Sequence, residues 1–152
     1  MQLTKFTDYS LRVLMFLARR RGVHTTIRDI ADAHQISESH LMKVVHQLAK
    51  RGYIKTVRGK GGGISLARPP EEISIGAIVR EIEPLTPAEC FVPGYDARCR
   101  LYPSCGLRGA LRAAQSSFLT TLDDYSLSAM VGPKRVGSPQ PKCAPGRSGS
   151  SR

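Results

Sequence analysis

Apolar residues recur at helical spacing from the start of the chain. Leu3, Phe6, Val13, Leu14 and Leu17 share one face of a helix predicted over residues 3–21, with Thr4 placed to cap its start and Gly22 to stop it. In "TTIRDIADAHQIS", Thr26 followed by Asp29 resembles a capping box, and Ile27, Ile30 and Ala31 line up behind it. A short second helix follows from that. After the break at "HQI", Ser37 can cap a third helix whose Leu41, Val44, Val45 and Leu48 form an i, i+3, i+4, i+7 stripe ending at Gly52. The period then changes from helical to alternating. "YIKTVRGKGGGISLARP" alternates, crosses a glycine-rich tip and alternates again, as a two-stranded hairpin does. Helix, tight turn, helix and hairpin in this order make a winged helix-turn-helix.

Residues 75–82, "IGAIVREI", predict another short helix closed by Pro84. Between Pro84 and Pro103, four prolines and a glycine exclude a regular element and leave a loop suited to carrying a site. From Ser104 to about Met130 the apolar residues Leu107, Leu111, Ala114, Phe118, Leu122 and Tyr125 trace one long stripe. A single-striped helix appended to a small core needs a partner surface, and pairing with a second copy is favoured over folding back. The remaining residues are Gly, Pro, Ser and basic types with no apolar period, which predicts disorder. The expected fold is mainly α. It comprises a winged helix-turn-helix domain over 1–83, a cysteine-bearing loop over 84–103, a dimerisation helix over 104–131 and a basic tail over 132–152.

Charge sharpens this picture. Residues 1–68 hold 13 basic against 4 acidic side chains, a net +9, whereas residues 69–131 hold 5 against 8, a net −3. A basic N-terminal half points to a polyanionic partner, double-stranded DNA first among them. In a helix-turn-helix the second helix enters the major groove, where each base pair shows a distinct donor and acceptor pattern. Opposite the apolar stripe, Ser39, His40, Lys43 and Gln47 are therefore the candidates for base edges and nearby phosphates. Arg28, at the start of the second helix, is placed to hold the backbone, and Arg58 and Lys60 at the wing tip suit a minor-groove or phosphate contact. "GKGGG" is no nucleotide loop, because Lys60 precedes the glycines and a strand follows them. The N-terminus does not read as a signal peptide and no window is apolar enough to span a membrane, so a cytoplasmic protein is expected.

Three of the four cysteines fall in "ECFVPGYDARCRLYPSCGLRGA": Cys90, Cys99 and Cys105, with Cys143 alone in the tail. No Cys-x-x-Cys knuckle is present, which disfavours structural zinc, while iron–sulfur clusters accept looser spacings and a non-cysteine donor. Neighbouring arginines and the helix start at Cys105 favour thiolate and an anionic cluster. Zinc-stabilised DNA binding stays open as an alternative. So does a thiol oxidoreductase, although no βαβ pattern supports it.

"MQLTKFTDYSLRVL", "GYIKTVRGKGGGISLARP", "IGAIVREIEPL" and "YPSCGLRGAL" together resemble the NsrR proteins, nitric-oxide-sensing repressors of the Rrf-two superfamily of winged-helix regulators. The similarity runs from Met1 to about Met130. It implies a homodimer that binds operator DNA while an iron–sulfur cluster, [2Fe–2S] or [4Fe–4S], is intact. Nitric oxide is then the signal that releases the DNA and derepresses detoxification genes. The resemblance also implies that Cys90, Cys99 and Cys105 are cluster ligands and that Asp8 in the first helix is the fourth. The sister branch that regulates cluster assembly carries a histidine where this chain has Arg108. An iron- or redox-sensing regulator of the same architecture is the alternative within the superfamily.

Overall fold

The computed structural model describes residues 2–57, 59, 62–95, 99–102 and 104–132, and its elements follow the predicted order closely. Helix α1 (Lys5–Arg19) starts at Thr4, whose hydroxyl accepts from the Thr7 amide. It ends two residues earlier than the predicted 21, ahead of Gly22 in the left-handed region at φ 75°. Helix α2 (Ile27–His34) carries a complete capping box. The Asp29 amide donates to the Thr26 hydroxyl at 3.2 Å, and the Thr26 amide donates back to the Asp29 carboxylate at 2.7 Å.

Helix α3 (Glu38–Lys50) begins after Ser37 as expected, but the Ser37 hydroxyl does not cap it. That oxygen instead meets His40 Nδ1 at 2.9 Å and the Ser39 hydroxyl at 3.2 Å. The hairpin pairs strand β1 (Ile54–Val57) antiparallel with β2 (Gly63–Leu66), in the register Ile54 opposite Leu66. It is anchored to the loop before α2 by the Ile64 amide, which donates to the Thr25 carbonyl at 2.7 Å.

One apolar core joins these elements. Val13, Leu14 and Leu17 of α1 meet Ile30 of α2, Leu41, Val44 and Leu48 of α3, and Tyr53, Ile54 and Ile64 of the hairpin. Burial of each such side chain contributes about 1.5–3 kcal/mol, which fixes the angle between the first helix and the third. Helix α4 (Ile75–Ile82), capped by the Ser74 hydroxyl, closes the core with Ile75 and Ile78.

The long C-terminal helix is a correction. Helix α5 spans Gly106–Asp123 and stops, and a separate helix α6 (Leu127–Val131) follows, so Tyr125 lies in neither. The break has a local cause. The Ile75 amide donates to the Tyr125 carbonyl at 2.9 Å and the Leu127 amide to the Ile73 carbonyl at 2.8 Å, while Ser126 caps α6. The chain leaves α5 to pair with the segment before α4, and Leu127 drops into the core. At this seam Gly76 sits so close to Asp123 that an added Cβ would come within 2.9 Å of the Asp123 amide nitrogen. Arg80 grips both carboxylate oxygens of Asp123. The tail from residue 133 onward, with Cys143 in it, lies outside the described residues.

Candidate DNA-reading surface and thiol loop

Helix α3 buries Leu41, Val44, Val45 and Leu48 and leaves Ser39, His40 and Lys43 exposed, as its sequence pattern requires. Gln47 is half-buried, and its amide oxygen already accepts from Arg51. His40 is held by Ser37 and lies 6.4 Å, centroid to centroid, from the Tyr9 ring of α1. The reading face and the first helix therefore touch. Sequence reasoning passed over Met42, which is 54% exposed between His40 and Lys43. An apolar side chain held out to solvent on this face suits contact with a thymine methyl. Its signal was its place outside the i, i+3, i+4 stripe.

Arg28 is exposed on the first turn of α2 and stands 4.0 Å from Asp32. The same turn holds Asp29, whose carboxyl the Thr26 backbone and side-chain hydrogen bonds keep below the usual carboxylate range. The capping box thus takes two donors of this helix start, and Arg28 supplies the remaining pull on an anion. Arg58 and Lys60 fall outside the described residues. The wing root is described, and there a Cβ at Gly63 would stand 3.0 Å from the His24 ring and from the Thr25 carbonyl, so the hairpin is seated tightly.

Three short, tied segments present the thiols. Cys90 lies in a 3-10 turn (Glu89–Phe91), prolonged by the Val92 amide donating to the Glu89 carbonyl and closed by the Tyr95 hydroxyl on the Glu89 carboxylate at 2.7 Å. Cys99 opens a turn closed by the Tyr102 amide on its carbonyl at 3.1 Å. Cys105 is the residue before α5, and its side chain does not cap the helix. All three are free and half-buried.

Side chains tie parts of this region to one another. Tyr95 has its hydroxyl pKa raised by the Glu89 hydrogen bond first, then by the Glu89 charge and by burial. Arg108, in the first turn of α5, donates from Nε to the Cys90 carbonyl at 3.4 Å. Its guanidinium lies 4.7 Å from the Tyr102 ring centroid and 5.8 Å from that of Phe91. Sequence reasoning counted Arg108 among the arginines that favour thiolate and as a residue unable to ligate a metal, but gave it no structural part. In the fold it is the clamp of the loop.

Asp8 sits on the first turns of α1, with its carboxylate 3.0 Å from Arg12 Nε. Among the described residues, no three His, Cys, Asp or Glu side chains stand close enough to share one metal ion. Three free thiols on a tethered loop have the donor chemistry of a thiolate-bound cluster, whose several metal atoms spread their ligands wider than one ion does. A single tetrahedral zinc would need the donors already close.

Known proteins identify the family. The sequence profile of the Rrf2 family, described as "Iron-dependent Transcriptional regulator", matches residues 3–133. A regulator named NsrR from Geobacillus kaustophilus is 51% identical over 133 residues, 86% of this chain and 90% of the relative. Another named NsrR, from Bacillus licheniformis, is 47% identical over 133 residues, 86% of this chain and 92% of its own length. The chain belongs to the Rrf2 family of transcriptional regulators, within it to the NsrR type.

Solved structures agree with an Rrf2 fold. CymR of B. subtilis, titled the global cysteine regulator, superposes with a TM-score of 0.66 at 26% identity over 86% of this chain and 96% of that one. IscR of T. potens superposes with a TM-score of 0.69 at 25% identity over 86% of each chain. The winged helix-turn-helix expectation is thereby met. The thiol oxidoreductase alternative falls, because an Rrf2 chain of this type is a regulator and not an enzyme. Among the described residues no helix is long and apolar enough to cross a membrane.

Proposed function

We propose that this Rrf2 regulator is a cytoplasmic homodimeric repressor that grips operator DNA while its thiol loop holds an iron–sulfur cluster, and lets go when nitric oxide attacks that cluster. The reading rests above all on Cys90, Cys99 and Cys105, three free, half-buried thiols on the segments between α4 and α5. The NsrR names of the relatives and the iron-dependent family description support it. Cys90, Cys99 and Cys105 would hold the cluster, [2Fe–2S] or [4Fe–4S], with Asp8 as fourth donor. The bound group supplies iron that reacts with nitric oxide.

On the DNA side, Ser39, His40, Lys43 and Gln47 read base edges and nearby phosphates, and Arg28, Arg58 and Lys60 hold the backbone. Residues 1–83 form the reading domain, 84–103 the sensor loop and 104–131 the dimerisation segment, with 132–152 a basic tail. A second copy is called for by α5, which has 18 residues and none buried, and by Leu101 and Leu107, each 67% exposed. Two copies present two reading helices, so the operator is an inverted repeat with half-sites about one helical turn, roughly 10 base pairs, apart.

The test is nitric oxide titration of anaerobically purified protein against operator binding. Stoichiometric nitric oxide should release the DNA. Release by iron chelation or peroxide at doses where nitric oxide does nothing would favour an iron- or redox-sensing regulator.

A further inference from the structure

We infer that Glu83 is the positioning residue through which the state of the thiol loop reaches the DNA-reading helices, an inference that rests on the cluster reading above. Glu83 ends α4, its amide donating to the Val79 carbonyl at 2.9 Å, and Pro84 after it opens the loop that carries Cys90. Its carboxylate reaches across the molecule to the first turn of α1. The Thr4 amide stands 3.2 and 3.0 Å from its two oxygens, the Thr4 hydroxyl 2.9 Å from Oε2, and the Thr7 hydroxyl donates to that same Oε2. Thr7 is fully buried.

A hydroxyl buried at this depth, with a carboxylate brought to it from 76 positions away in the chain, is a specific joint. Burial pushes the Glu83 carboxyl pKa up, yet the Thr7 and Thr4 hydrogen bonds hold it below the usual range, so the joint is charge-assisted.

The two ends of this joint are the two parts that have to communicate. On the loop side, the next contact after Glu83 is the Leu85 carbonyl, which accepts from Gln115 of α5 at 2.8 Å, so the root of the loop is pinned to both α1 and α5. On the helix side, Asp8 directly follows Thr7, and its amide donates to the Thr4 carbonyl at 3.0 Å. Helix α1 then shares the apolar core with Leu41, Val44 and Leu48 of α3. Packed cores shift as units and do not deform smoothly. A loop that changes shape when its thiols gain or lose their ligand therefore moves α1 through Glu83, and α3 with it.

The joint also caps α1, and a cap alone would stabilise the loaded and metal-free forms alike. Coupling between two sites is instead a ratio of affinities. Full-length Glu83→Gln and Thr7→Val proteins, prepared without oxygen, are compared with the wild type for iron and sulfide per chain, and for operator Kd in the loaded and metal-free states. Both variants should load as the wild type does. Their ratio of metal-free to loaded Kd should fall by about tenfold, within the range of typical allosteric couplings. Thr7→Ser, which keeps the hydroxyl, should retain the wild-type ratio. An unchanged ratio in both loaded variants overturns the inference, as does a loss in Thr7→Ser equal to that in Thr7→Val. A wild type that carries no iron would sink the cluster reading itself, a result read from the metal count and not from the ratio.

Discussion

Asp8 and Arg12 pair one helical turn apart on α1, with Arg12 Nε 3.0 Å from Asp8 Oδ2 and both side chains nearly half exposed. An exposed pair at i, i+4 contributes only about 0.3–0.5 kcal/mol, so Asp8 can leave Arg12 for a metal at small cost. Asp8→Ala should barely move the melting temperature but change the cluster absorbance and weaken operator binding by the loaded protein. An unaltered spectrum, nitric oxide response and operator affinity would remove Asp8 from the ligand set.

Arg108 holds the Cys90 carbonyl and the Tyr102 and Phe91 rings at once. Arg108→Gln should loosen the loop, speeding amide exchange over residues 90–102 in metal-free protein and shortening cluster lifetime under a chelator by about tenfold, the effect of losing a supporting contact around metal ligands. Arg108→Lys, with charge but no planar stacking, should fall between. Equal lifetimes in all three proteins would reduce Arg108 to a bystander.

His34 lies against Phe16 with its Nε2 atom buried and without a hydrogen-bond partner among the described residues. Its pKa is lowered by burial first, then by Arg12 and Arg19. The unfolded chain therefore binds a proton at this site more readily than the folded one. Stability is full above the ordinary histidine value of about 6.5 and declines as pH falls below it, until the folded-state pKa is reached. Denaturant titrations of the wild type and His34→Gln across that window should show a shallower decline in the variant. Parallel curves would assign the acid sensitivity elsewhere.

At the seam between α4 and α5, Gly76 leaves room for Asp123, which Arg80 holds. Gly76→Ala should cost about 1–3 kcal/mol, the usual penalty of overpacking a filled site. Asp123→Ala combined with Gly76→Ala should not recover that loss, because the Asp123 amide nitrogen still stands 2.9 Å from the added Cβ and the Arg80 ion pair is gone. Thermal unfolding of the two proteins decides it.

Most of the reading head could be derived from periodicity. The stripes of α1 and α3, the Thr26–Asp29 capping box and the alternating hairpin are local patterns, and local hydrogen bonding and burial enforce them. Two features escaped because their causes are distant in sequence. The helix break at Asp124–Ser126 arises from pairing with Ile73 and Ile75, while the stripe through Tyr125 gave no local reason to stop. Glu83 read as an ordinary residue near a helix end, since only the folded chain brings Thr4 and Thr7 to it. Among the candidate ligands, the spacing of Cys90, Cys99 and Cys105 marked the loop, but the contact of Arg108 with the Cys90 carbonyl, 18 positions away, is tertiary.

The most direct measurement is a count of iron and acid-labile sulfide per chain in oxygen-free preparations of the wild type and Cys99→Ser, each followed by operator binding. The expected wild type is coloured, carries both elements and binds its operator, while Cys99→Ser loses most of both elements and binds weakly. A wild type free of iron and sulfide that still binds and releases its operator on exposure to nitric oxide would contradict the cluster-based account.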